Sequence, residues 1–155
     1  VGRSCRCGSE VRGQLDRLTP FAQATGSGSF YALWHHDDRA DLATLPVIRF
    51  GDEGDLDIID GLRNLLRMLA IDDEWFTPWD EERAADPDEE HSPGHEAYVA
   101  WLKETFGLTL PTEAEADEIL RSGGRTYGVR FVEWLAEFGS EAIDFDSWRK
   151  EFDGC

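Results

Sequence analysis

The stretch "ATGSGSFYALWHHDD" (24–38) decides how the chain is read. The small residues at 26–29 suit a tight turn, because glycine reaches backbone conformations closed to other residues. The run that follows alternates. Phe30, Ala32 and Trp34 fall on one face of a strand, and Tyr31, Leu33 and His35 on the other. Both faces are apolar as far as Leu33, which fits a strand in a sheet covered on both sides. His35, His36, Asp37 and Asp38 then read as the polar exit of that strand.

Working outward, "FAQAT" (21–25) is expected to be the strand before the turn. "PVIRF" (46–50) reads as a strand with Pro46 at its start, where the missing N–H is tolerated. "GDEGD" (51–55) reads as a turn and "LDIID" (56–60) as a further strand. In "GLRNLLRMLA" (61–70), Leu62, Leu65, Leu66 and Leu69 recur at i, i+3, i+4 and i+7, the pattern of an amphipathic helix. Residues 28–59 are therefore expected to form a twisted, mainly antiparallel sheet. The 61–70 helix should pack on it, with those four leucines and Trp34 buried.

The C-terminal third reads as helical. "HEAYVAWLKETFG" (95–107) places Tyr98, Trp101, Leu102 and Phe106 on one face, with Gly107 as the stop. "LPTEAEADEILRSGG" (110–124) opens on a capping box, Thr112 with Glu115, and is expected to end at Gly123 and Gly124. A separate helix is expected over 126–139, aligning Tyr127, Phe131, Trp134, Leu135 and Phe138, and a short one over 145–152. Near the start, Val11, Leu15 and Leu18 suggest a short helix limited by Gly13 and Pro20. Strands first and helices after define an α+β fold. A small, mainly antiparallel sheet from the N-terminal half packs with helices from the middle and C-terminal half. The whole of 1–155 reads as one domain with an irregular tail over about 1–10.

The net charge of −18 sets strong limits on partners. It argues against nucleic acid and anionic membrane surfaces, whose binding draws on Lys and Arg. It favours a basic protein partner. No apolar run reaches the roughly 18–20 residues of a membrane span. No apolar segment follows the basic start as in a secretory signal, so the expected location is the cytoplasm. Cys5, Cys7 and Cys155 are an odd set without C-x-x-C spacing, so neither a disulfide framework nor a structural zinc site is expected.

Motifs for chemistry are sparse. His35 and His36 are neighbours on a strand and point to opposite faces, so they do not chelate one ion easily. His91 and His95 are spaced i, i+4, but Pro93 between them argues against a shared helical face. "GDEGD" lacks the spacing of a calcium loop, and "GSGS" lacks the helix and lysine of a phosphate cradle. No nucleophile with a matched base stands out. The reading is therefore of a non-enzyme with no metal and no cofactor.

The stretch 21–70 resembles the SUKH superfamily, which includes a fungal cell-wall-assembly regulator and bacterial immunity proteins. The resemblance rests on Tyr31, Ala32, Leu33 and Trp34; on Pro46, Val47, Ile48, Phe50, Gly51, Glu53 and Gly54; and on Leu62, Leu65, Leu66 and Leu69. "HEAYVAWLKETFGL" is similar to a later helix of some members. The family's opening "LP…Y/F" and "NGG" segments have no counterpart in 1–20, so the chain reads as either an N-terminally shortened or a divergent member. The resemblance implies a non-catalytic domain that neutralises a basic, nuclease-type toxin domain. The alternative is a regulatory or scaffold domain for a cellular protein.

Family likeness places no partner residues, but composition does. Residues 71–94 hold ten acidic side chains against one Arg. The candidate partner surface is Asp72, Asp73, Glu74, Trp75, Phe76, Trp79, Asp80, Glu81 and Glu82, an aromatic anchor inside an acidic field; the alternative reading packs these aromatics on the domain's own helices with the acids facing water.

Overall fold

The computed structural model describes residues 16–26, 28–51, 54–72 and 91–137. Four strands, β1 (Leu18–Gln23), β2 (Phe30–Trp34), β3 (Val47–Phe50) and β4 (Leu56–Ile59), lie in chain order, and each neighbouring pair is antiparallel. Three helices follow, α1 (Leu62–Leu69), α2 (His95–Phe106) and α3 (Glu113–Ala136). The fold is α+β, as the order of patterns in the sequence implies. β1 starts three residues before "FAQAT" and takes in Pro20. It is an edge strand with a register shift between Pro20 and Ala22, the setting in which a sheet tolerates proline. Leu18, expected at the end of a helix, is the first residue of this strand; 1–15 lie outside the described residues.

Register explains why β2 is apolar on both sides. Leu33, Val47 and Ile59 form one cross-strand row, and Ala32, Ile48 and Ile58 form the next. Adjacent rows face opposite sides of the sheet. The first row joins Tyr31, Leu45, Leu65, Met68 and Ile119 in one core. Ile48, Ile58 and Trp34 join Tyr127, Phe131 and Leu135 in a second core on the other face. Trp34 is buried as expected.

α3 serves both cores. The sequence reading divides it at Gly123 and Gly124, whereas the structure has one helix of 24 residues. The expected capping box forms at its start, with Thr112 Oγ1 accepting from the Glu115 N–H and the Glu115 carboxylate accepting from the Thr112 N–H. Its first half supplies Ile119 to one core, and its second half supplies Tyr127, Phe131 and Leu135 to the other. The helix therefore crosses the sheet at the edge strand β4. A Cβ at position 123 would fall inside the Ile58 carbonyl. Gly123 is a close-approach residue and not a helix stop.

α1 is rotated from the expected setting. Leu65 and Met68 are buried, Leu62 and Leu66 are half-buried, and Leu69 is 38% exposed. The buried seam runs along the i, i+3 line from Leu65 to Met68, which meet Ile119 of α3 in the same core. α1 and α2 run antiparallel and are joined largely through side chain to backbone bonds. Tyr98 donates to the Leu66 carbonyl (3.0 Å), His95 Nε2 to Ala70 (2.7 Å), Arg63 to Phe106 (3.1 Å) and Arg67 to Thr109 (2.9 Å).

One charge sits inside the sheet. Arg49 on β3 faces the first core with its side chain 4% exposed, paired with Asp57 (2.6 Å) and Asp55 (2.5 Å). Asp57 is its direct cross-strand partner. Burial pushes the neighbouring Tyr31 phenol up to about 12, against the lowering effect of Arg49.

Two stability predictions follow from these placements. Gly123→Ala adds a good helix former, worth about 1 kcal/mol by propensity alone. The clash with Ile58 should reverse that sign and destabilise by about 1–3 kcal/mol in urea unfolding; a stabilised variant would refute the crossing. On α1, Leu65→Ala should cost about 2–5 kcal/mol, while Leu69→Ala stays within about 0.5 kcal/mol. Equal losses at the two positions would return α1 to the setting expected from periodicity.

Candidate functional site

The exit of β2 is built by the strand itself. His35 continues the ladder to β1, its N–H donating to the Arg17 carbonyl (2.8 Å), and its Nε2 lies 2.9 Å from Thr19 Oγ1. His36 turns to the other face, where its ring lies 5.3 Å from both Trp34 and Tyr127. The two histidines diverge as strand geometry requires. Asp37 does not coordinate anything with them; it clamps Arg39, which donates from Nε (2.8 Å) and from its terminal nitrogen (2.6 Å). Hydrogen bonding from Arg39 holds the Asp37 carboxyl down at about 2. Arg39 also donates to the Thr44 carbonyl (2.9 Å) and to His36 Nε2 (3.1 Å).

A cleft of about 420 Å³ opens here, lined in part by Arg17, Trp34, His36, Arg130, Glu133 and Trp134. Because Arg39 donates to His36 Nε2, a neutral His36 carries its proton on Nδ1. Among the described residues, that atom and the indole Nε1 of Trp34 are buried without a hydrogen-bond partner. Both lie in residues beside the cleft, whose lining carries charges of both signs.

α2 presents the second feature. Of Tyr98, Trp101, Leu102 and Phe106, read as one face of this helix, only Leu102 is buried. Trp101 is 44% exposed, Phe106 is 37% exposed, and their rings meet edge to face at 5.2 Å. Tyr98 adjoins Trp101 at 5.8 Å. The helix ends at Gly107 in the left-handed region, as read from the sequence.

The third feature lies between α1 and α2. Of the expected partner residues, Asp72 is described; Asp73, Glu74, Trp75, Phe76, Trp79, Asp80, Glu81 and Glu82 lie outside the described residues. Asp72 adopts a φ of 60° just beyond α1 and accepts from the Ser92 N–H (2.5 Å). That bond holds its carboxyl below the usual range. The His95 N–H bonds the Ser92 carbonyl (3.0 Å), with Pro93 and a left-handed Gly94 between them, the pattern of a type II turn. The turn folds His91 back onto His95, and their rings stack at 4.0 Å. Pro93 therefore brings the two histidines together, contrary to the reading that it separates them. The signal was the "SPGH" turn signature and not the i, i+4 spacing. Asp72, His91 and His95 each offer a donor atom within 4.8 Å of the others.

Among the described residues, no helix is long and apolar enough to cross a membrane. Comparison with protein-family models, curated proteins and solved structures gives no match for this chain.

His36 makes the strand exit sensitive to acid. Its side chain is 3% exposed, and burial lowers its pKa below the ordinary 6.5; Arg130 and Arg39 act in the same direction, against Asp37. The folded state thus binds fewer protons than the unfolded one, so stability is full above pH 6.5 and falls as pH drops through that value. His36→Gln should flatten stability measured from about pH 7 down to about pH 5.5. Equal slopes for the two proteins would show that His36 does not contribute.

Proposed function

We propose that this chain is a SUKH-like, non-catalytic protein-binding domain, an immunity protein that neutralises a basic, nuclease-type toxin domain in the cytoplasm. One observation carries the reading: an exposed aromatic pair, Trp101 with Phe106, stands on a chain of net charge −18. Binding hot spots are enriched in tryptophan, and a charge excess steers an oppositely charged partner. The sheet and Leu-rich helix on which the SUKH resemblance rests are consistent with it. Asp73, Glu74, Trp75, Phe76, Trp79, Asp80, Glu81 and Glu82, with Asp72, remain the proposed partner surface, an aromatic anchor inside an acidic field.

The test is co-expression with the product of the adjoining gene, followed by copurification and a growth-rescue assay. A complex is expected whose association slows as salt rises from about 0.05 to about 0.5 M. Trp101→Ala, with its fold intact, should weaken binding by about 30-fold or more, a hot-spot loss of about 2 kcal/mol. Neutralising Asp72, Asp73, Glu74, Asp80, Glu81 and Glu82 should flatten the salt dependence. A complex that ignores both changes places the interface elsewhere, and failure of rescue with no complex removes the immunity reading.

A further inference from the structure

We propose that Asp72, His91 and His95 bind one zinc ion at the corner where α1 ends and α2 begins. The strongest indication is the state of His95. Its Nε2 lies 2.7 Å from the Ala70 carbonyl. A carbonyl only accepts, so Nε2 carries the proton and a neutral ring keeps its lone pair on Nδ1. That Nδ1 is buried and has no hydrogen-bond partner among the described residues. Imidazoles that bind metals are typically held in this way, one nitrogen tied to a backbone carbonyl and the other aimed at the ion.

The other two donors are placed by the chain on either side. Asp72 is fixed by the Ser92 N–H, and its Oδ2 lies 3.5 Å from His91 Nδ1. A tetrahedral zinc ion with bonds of about 2.0–2.1 Å holds its ligand atoms roughly 3.4 Å apart. The observed spread of up to 4.8 Å needs one inward rotation. His91 is free to make it, with its side chain 61% exposed. Two imidazoles with one carboxylate select a borderline metal such as zinc over magnesium or calcium, which prefer oxygen donors. Three protein ligands leave a fourth position open to solvent or to a group from another molecule.

The plain alternative is that His95 only caps the last carbonyl of α1 while His91 makes a surface ion pair with Asp72. That accounts for His95 Nε2 and for Asp72. It leaves the buried Nδ1 unexplained, and such an atom is costly to leave unpaired. The ion would also tie the chain at both ends of 73–90, since Asp72 precedes that segment and His91 follows it. Closing a loop of this kind is how a bound metal adds folding stability. The inference does not depend on the partner-binding reading.

The test uses the full chain with Cys5→Ser, Cys7→Ser and Cys155→Ser, so that no thiol competes. Chelator-stripped protein is titrated with zinc against a chromophoric chelator, and with cobalt for its visible spectrum. One zinc per chain is expected, with a raised melting temperature and tetrahedral-type cobalt bands. His91→Ala is the diagnostic variant, because that side chain is exposed and its loss should leave the fold intact. It should lose about 100-fold in zinc affinity or more, together with the cobalt bands; His35→Ala should change neither. Binding weaker than about 0.1 mM would overturn the site. So would a tight ion unaffected by His91→Ala and Asp72→Asn, or one lost only with His35→Ala.

Discussion

The structure depends on how closely α3 approaches the edge strand β4. Gly123 lies against the Ile58 carbonyl with no room for a side chain, and this contact lets one helix serve both faces of the sheet. On one side of the crossing, Ile119 meets the core around Leu33, Val47 and Ile59. On the other, Phe131 and Leu135 meet Trp34, Ile48 and Ile58. A four-stranded sheet of this size has little surface of its own to bury. Without the crossing, one row of apolar side chains would face water. The apolar character of β2 on both faces and the small residue at 123 are therefore two sides of one constraint.

The sequence made the strands legible because their signals are local. Alternation from Phe30 to Trp34, the glycines flanking it and Pro46 all act within a few residues. Helix α3 was misread for the opposite reason. Two adjacent glycines are poor helix formers, and nothing nearby shows that a strand about 65 residues earlier has come within contact of them. Arg49 was hidden in the same way. Its alternation places it on an inward face, but only the register with β4 shows that Asp57 stands opposite to neutralise it. A buried charge with a close, oppositely charged partner is tolerated where an isolated one is not. In α1 the apolar period is real but does not fix the angular setting: Leu65 and Met68 face the core and Leu69 does not.

The functional features were less legible, since each joins distant segments. The divergence of His35 and His36 follows from strand geometry and could be read directly. The cleft beside them needed Arg130 and Glu133 from α3, which no local pattern brings to β2. The pairing of His91 with His95 was hidden by counting positions on a helix that starts only at His95. The turn through Pro93 and Gly94 carries the information instead. On α2, the aromatic period marks one face, and of its residues only Leu102 is buried. Aromatic side chains at helical spacing mark a face without saying what covers it.

Among the described residues, α2 and α3 are held in different ways. α3 is fastened by buried rings and aliphatic chains, each worth about 1.5–3 kcal/mol when fully buried. α2 buries one leucine and is otherwise held by donations from His95, Tyr98, Arg63 and Arg67 across to backbone carbonyls. Each such bond contributes only about 0.5–1.5 kcal/mol net, because water offers the same partners when it opens. Two of these four donations come from the N-terminal turn of α2, beside Asp72 and His91. Whatever draws those side chains together therefore acts on the contacts between α1 and α2. Trp101 and Phe106 lie further along the same helix, while the sheet is held separately by the crossing at Gly123.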